Sequence, residues 1–154
     1  MDPEIIRQEA NAYLRDVLTT FHQDYPEVRL VGLACECDPL MGITYISACE
    51  QGNDVNVPCA EWTFQYIEQG ILDFSLPPWV ERYQKETEGW FAKETEESDA
   101  FQFILDGVAA AMADLMGSDL FEQVGLNGAG TSFRSWTASD SDQKTGEGRV
   151  ALHR

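Results

Sequence analysis

Val28-Arg29-Leu30-Val31-Gly32-Leu33-Ala34-Cys35 is a short, branched, apolar run, and Ile43-Thr44-Tyr45-Ile46-Ser47-Ala48-Cys49 resumes the same chemistry a few residues later. Segments of this length and composition form buried strands. Between them Asp38-Pro39-Leu40-Met41-Gly42 supplies turn residues, so the pair predicts an antiparallel hairpin with a loop of a few residues. Cys35 and Cys37 then share one face, because side chains alternate along a strand.

Working outward from this hairpin, the preceding segment carries a complete helix start. Asp2 can cap, Pro3 takes the first helical position and Glu4 complements the positive end of the dipole. Ile6, Ala10, Tyr13, Leu14, Val17, Leu18 and Phe21 recur at three and four residues and mark one apolar face, before Tyr25 and Pro26 stop the helix. On the other side, Gly52-Asn53-Asp54 reads as a polar loop. Pro58-Cys59-Ala60-Glu61-Trp62-Thr63-Phe64 fits either a turn of helix or a strand edge. Helical character returns at Pro77-Pro78-Trp79 with Val80 and Tyr83. A further helix is predicted from a Ser98 cap through Phe101, Leu105, Val108, Met112 and Leu115, ending at Gly117. A short turn or helix at Asp119–Glu122, a glycine cluster and a late strand, Thr131 to Ala138, complete the outline.

The order α-β-β-α-α-β favours an α+β class, with a small antiparallel sheet covered by helices on one face. The 154 residues, 44% of them apolar, suit a single domain over 1–154 with a polar, loose tail from about 140. Four Trp and eight Phe argue against disorder. No segment reads as a signal peptide, and none approaches the roughly 20 apolar residues of a membrane span, which predicts a cytoplasmic protein without a membrane partner. Reduced Cys35, Cys37, Cys49 and Cys59 fit that compartment. Their spacing lacks paired C-x-x-C hooks and neither His22 nor His153 is near in sequence, so small buried hydrophobes are favoured over a metal site.

Twenty-seven acidic side chains against 10 basic ones give a net charge of −17, spread along the chain. Such a surface disfavours direct nucleic-acid binding and points to a basic partner, or to solubility alone. Chemistry is poorly signalled. Gly125-Leu126-Asn127-Gly128-Ala129-Gly130 has the wrong order for a dinucleotide fingerprint and precedes a strand instead of following one. His22 sits where an imidazolium meets the negative end of a helix, which is a capping role. With two histidines so placed, a Ser or Cys triad is hard to assemble. The pairs Asp140 with Asp142 and Glu61 with Glu68 resemble acid and base pairs or cation ligands. Close carboxylates arise by chance in so acidic a chain, however, and Asp140-Ser141-Asp142 lacks the glycine and terminal Glu of a calcium loop. No cofactor, metal or catalytic residue is predicted, and an enzyme is the least favoured class.

The run from Glu86 to Asp99 stands apart because it sets aromatic side chains in an acidic field. A solvated helix whose Trp90 and Phe91 face the core is one account. An interaction surface is the other, with aromatic anchors supplying central contact energy and the surrounding charge steering a basic partner. The partner-binding residues predicted on that account are Trp79, Glu86, Glu88, Trp90, Glu94, Glu96, Glu97 and Asp99, joined by Asp140 and Asp142.

Three further features belong together: the apolar strand Val28 to Cys35 behind an N-terminal helix, the segment Pro58-Cys59-Ala60-Glu61-Trp62, and the stretch from Phe133 to Asp142 ending in Ser139-Asp140-Ser141-Asp142. With these the chain, over residues 5–142, resembles bacterial domain-of-unknown-function family 4303, small acidic proteins that look like immunity components of toxin loci. The family pattern closes its first strand with a Tyr-Thr-Asp-like end, where this chain has Cys35-Glu36-Cys37-Asp38. No catalytic residues carry over. The resemblance implies an immunity protein that binds a cognate toxin and holds it inactive, and a basic, nuclease-like toxin would suit the charge. The alternatives are an acidic nucleic-acid mimic that blocks a DNA-binding protein, which requires carboxylates spaced like phosphates, or a small enzyme or metal protein using Glu61, Cys35 or the carboxylates.

Overall fold

The predicted start signal builds the first helix: Asp2 Oδ1 accepts the Glu4 amide at 2.9 Å, Pro3 opens the helix, and α1 runs over Pro3–Asp24. It ends at Tyr25, whose amide returns to the Phe21 carbonyl at 2.9 Å. The apolar stripe read from the sequence, Ile6 through Phe21, is buried along its whole length. The computed structural model describes residues 2–37, 42–54, 57, 61–68, 76–87, 99–123, 132–137 and 150–153.

β1 (Leu30–Cys37) and β2 (Thr44–Glu50) form the antiparallel hairpin, in register from Gly32 opposite Cys49 to Cys37 opposite Thr44. A shift in register between Leu30 and Gly32 lets Leu30 join Leu33, Cys35 and Cys37 on one face although strict alternation would turn it away. α2 (Val80–Thr87), α3 (Asp99–Met116) and α4 (Leu120–Gln123) follow, then β3 (Ser132–Thr137) and β4 (Val150–His153). Together they make one α+β domain, as the element order predicts.

The sheet order is β2-β1-β3-β4. β3 lies parallel to β1, with Gly32 opposite Ser132 and Cys37 opposite Thr137, and β4 pairs antiparallel with β3. The sheet is therefore mixed: its β1–β2 half is the expected antiparallel one, and the late strand, predicted in the right place, adds with the opposite sense. A parallel neighbour needs a long crossover, which here contains β2 and all the later helices. Part of the tail expected to be loose is a strand, β4, which places His153 opposite Ser132.

α1, α2 and α3 cover one face, where Leu14, Leu18, Trp79, Tyr83, Ile104 and Met112 meet Leu33, Cys35, Ile46 and Ala48. The other face carries a smaller cluster of Ala34, Cys49 and Trp62. Two glycines set close approaches. A Cβ on Gly107 of α3 would lie 2.6 Å from Ile6 Cγ2 of α1, and one on Gly42 would lie 2.4 Å from the Tyr83 ring. Across the surface, Arg7 of α1 pairs with Asp114 of α3 at 2.7 Å, and Arg82 of α2 pairs with Glu9 of α1. The Arg7 guanidinium holds the Asp114 carboxyl below its usual range.

Candidate functional site

β2 is an edge strand, and the segment after it manages that edge. Ala48 and Phe64 exchange both backbone hydrogen bonds, at 2.8 and 3.2 Å, as one antiparallel bridge. A continuing ladder would next pair Ile46 with Tyr66. Instead Tyr66 takes a left-handed backbone (φ 53°), the chain leaves the ladder, and the Ile46 amide donates to the Glu68 Oε2 carboxylate oxygen at 2.9 Å. The edge is thus closed without a second strand.

The same departure opens a groove of about 300 Å³ between the end of α1 and residues 63–67. Phe21, Tyr25 and Phe64 pack ring on ring with centroids 5.0 to 5.3 Å apart, and Tyr66 meets Tyr45 edge-on at 5.3 Å. Tyr25 and Tyr66 remain 48% and 49% exposed, so aromatic surface faces solvent here. Among the described residues Asp24 is the charged one lining this groove, which lies at the negative C-terminal end of α1. Thr63 also lines a second groove of about 350 Å³ bordered by Asp54 and Glu61, where Asn53 Nδ2 donates to Thr63 Oγ1 at 2.9 Å. Among the described residues, every charged side chain lining the two adjoining grooves is a carboxylate.

Behind the groove, Glu68 is 5% exposed. Among the described residues its Oε1 has no hydrogen-bond partner, nor has the buried Tyr13 hydroxyl. Burial pushes the Glu68 carboxyl up, against the opposing hydrogen bond from Ile46, and burial likewise pushes up the Tyr13 phenol, with the Glu68 charge adding to the effect. The carboxyl serves the fold through Ile46.

The contact surface predicted from sequence fares differently. Trp79 is fully buried, packs edge-on against Tyr13 at 5.8 Å and donates its indole N–H to the Gly42 carbonyl at 3.0 Å. It is a core residue and is removed from the proposed contacts, since a side chain with no exposed surface cannot meet a partner. Glu86 is exposed on the last turn of α2, where its charge acts on Arg82. Asp99 begins α3. Glu88, Trp90, Glu94, Glu96, Glu97, Asp140 and Asp142 lie outside the described residues, as does the cluster Gly125 to Gly130. Glu61 is exposed whereas Glu68 is buried, so that pair is split by environment. His22 lies in the last turn of α1, where its Nδ1 is buried without a hydrogen-bond partner among the described residues. Cys35, Cys37 and Cys49 are buried thiols outside any disulfide among the described residues, Cys37 Sγ lying 3.4 Å from Thr44 Oγ1. Among the described residues no group of three His, Cys, Asp or Glu is placed to hold a metal, and no helix is long and apolar enough to cross a membrane.

Sequence reasoning missed Asp24, Tyr25, Phe64 and Tyr66. The available signal was the alternation of Phe64 and Tyr66 after a strand, close to a helix that stops on a tyrosine. Set against protein-family models, curated proteins and solved structures, the chain finds no match.

Proposed function

We propose that this protein is an immunity-type inhibitor that binds a basic, nuclease-like toxin in the bacterial cytoplasm and occludes its active surface. The observation that carries this reading is the charge of −17 displayed on a folded scaffold, with a solvent-facing aromatic groove whose charged lining, among the described residues, is acidic. Aromatic anchors within a field of one sign are what a protein needs to capture a partner of the other sign. The anchors supply contact energy, while rim charges raise the association rate and reject wrong partners. A toxin that cleaves nucleic acid must itself present a basic groove, and an acidic protein seated there excludes the substrate phosphates.

The test is affinity capture of the tagged protein from its own cells at low salt, followed by assay of what is retained. One basic protein, released by salt and inhibited in nuclease activity by stoichiometric addition of this chain, supports the reading. Retention of nothing basic, or of a protein whose activity the chain leaves unchanged, overturns it. Charge reversal at Glu94, Glu96 and Glu97 should weaken the complex in a salt-dependent way; unchanged affinity removes that patch from the contact surface.

A further inference from the structure

The groove at the end of α1 has the chemistry of a site for one particular side chain. Its walls are aromatic, with Tyr25 and Tyr66 half exposed, its one charged lining residue among the described residues is Asp24, and it lies at the negative C-terminal end of a 22-residue helix. An apolar side chain would use the rings and leave Asp24 without a counter-charge. A lysine would meet the carboxylate as a point charge, whereas the planar guanidinium of arginine stacks on a ring face while donating in a fork to a carboxylate.

We infer that the Asp24, Tyr25, Phe64 and Tyr66 groove is the receptor for an arginine side chain of the protein partner. The inference rests on the reading of the chain as a binder of a basic protein, and it names the group recognised. The adjoining groove, with Asp54 and Glu61, receives basic residues flanking that arginine, because Thr63 joins the two surfaces. Tyr66 is held for this task from three directions: its neighbour Phe64 is bonded to Ala48, Glu68 is bonded to Ile46, and its own ring rests on Tyr45.

The experiment titrates an acetylated, amidated Gly-Arg-Gly peptide into the full chain with its five tyrosine rings isotopically labelled, alongside the same peptide with citrulline in place of arginine. Citrulline keeps the shape and removes the charge. The Tyr25 and Tyr66 ring signals should shift saturably with the arginine peptide only, while those of buried Tyr13 and Tyr83 stay in place. Asp24→Asn should weaken binding about tenfold, the loss expected for a charge-assisted hydrogen bond, and Tyr66→Ala should remove the saturable shift; both sites are exposed, and an unchanged near-ultraviolet circular dichroism spectrum, apart from the lost Tyr66 ring, certifies the fold. Equal shifts with citrulline, no saturable shift, or full binding by both variants overturns the inference. The two proposals fail separately. If a captured toxin binds the Asp24→Asn and Tyr66→Ala variants as tightly as the natural chain, the arginine groove is wrong and immunity stands. If the peptide behaves as expected and no basic toxin is inhibited, the groove stands and immunity falls.

Discussion

Ile46 on the edge strand is satisfied by a buried acid: its amide reaches the Glu68 carboxylate at 2.9 Å where a ladder would have supplied the carbonyl of residue 66. Because burial raises the Glu68 pKa, the native state holds this proton more tightly than the unfolded chain. The contribution is fully present below the unfolded value and is lost as pH rises through the raised folded value. Glu68→Gln keeps an acceptor oxygen for Ile46 and cannot ionise. Urea midpoints should therefore be similar for the two proteins near about pH 4 and favour the variant near about pH 8. A difference that does not change with pH would assign the effect to packing.

Gly107 inverts a general rule. In an open helix, glycine to alanine stabilises by about 1 kcal/mol. Here the added Cβ would lie 2.6 Å from Ile6 Cγ2 and 3.1 Å from the Arg7 backbone nitrogen. Gly107→Ala should destabilise by about 1–3 kcal/mol in urea unfolding. Adding Ile6→Ala to it should cost less than the two single changes together, since the second removes Ile6 Cγ2, the nearest of the atoms the first collides with.

Trp79 joins α2 to the hairpin through the Gly42 carbonyl. Trp79→Phe, which keeps an aromatic ring and removes the donor, should cost about 1–3 kcal/mol by leaving a buried carbonyl unmet. Gly42→Ala should be at least as damaging, because its φ is +71° and its Cβ would enter the Tyr83 ring. Thermal unfolding measures both. Any fall in partner affinity for Trp79→Phe should follow the loss of folded protein and vanish when affinity is referred to the folded fraction.

Position 66 offers a test of the left-handed backbone that needs no partner. Tyr66→Gly and Tyr66→Ala both delete the ring, and they differ in the cost of φ 53°. The glycine variant should be the more stable by about 1 kcal/mol, the reverse of the order at an ordinary helix or strand position. Equal urea midpoints would mean that the segment relaxes once the ring is gone.

Periodicity made much of this architecture legible. The α1 stripe, its Asp2 cap and the hairpin followed from the spacing of apolar residues and from turn chemistry, which are local properties. The late strand was legible as a strand, but its parallel partner was not, because alternation says that a segment is extended and not which edge it joins. β4 has four residues after a polar stretch, too few to carry a period. Trp79 was read as a partner contact together with the acidic, aromatic run that follows it, and its indole N–H turned out to have a carbonyl waiting inside. The groove was hidden for a related reason: a positive φ is announced by glycine or asparagine, and Tyr66 announces nothing. Nor does sequence alone mark Glu68 as the one of its pair that is buried.

The central strand has a consequence for the order in which this protein is made. β1 finds β2 almost at once, but its other edge waits for β3, about a hundred residues later in the chain. During synthesis that edge stays open after the hairpin and its covering helices have left the ribosome. Chains ending at Gln123 and released from the ribosome should therefore present a bare β1 edge to chaperones or to other chains, and extension through Thr137, which adds β3, should abolish that stickiness in one step.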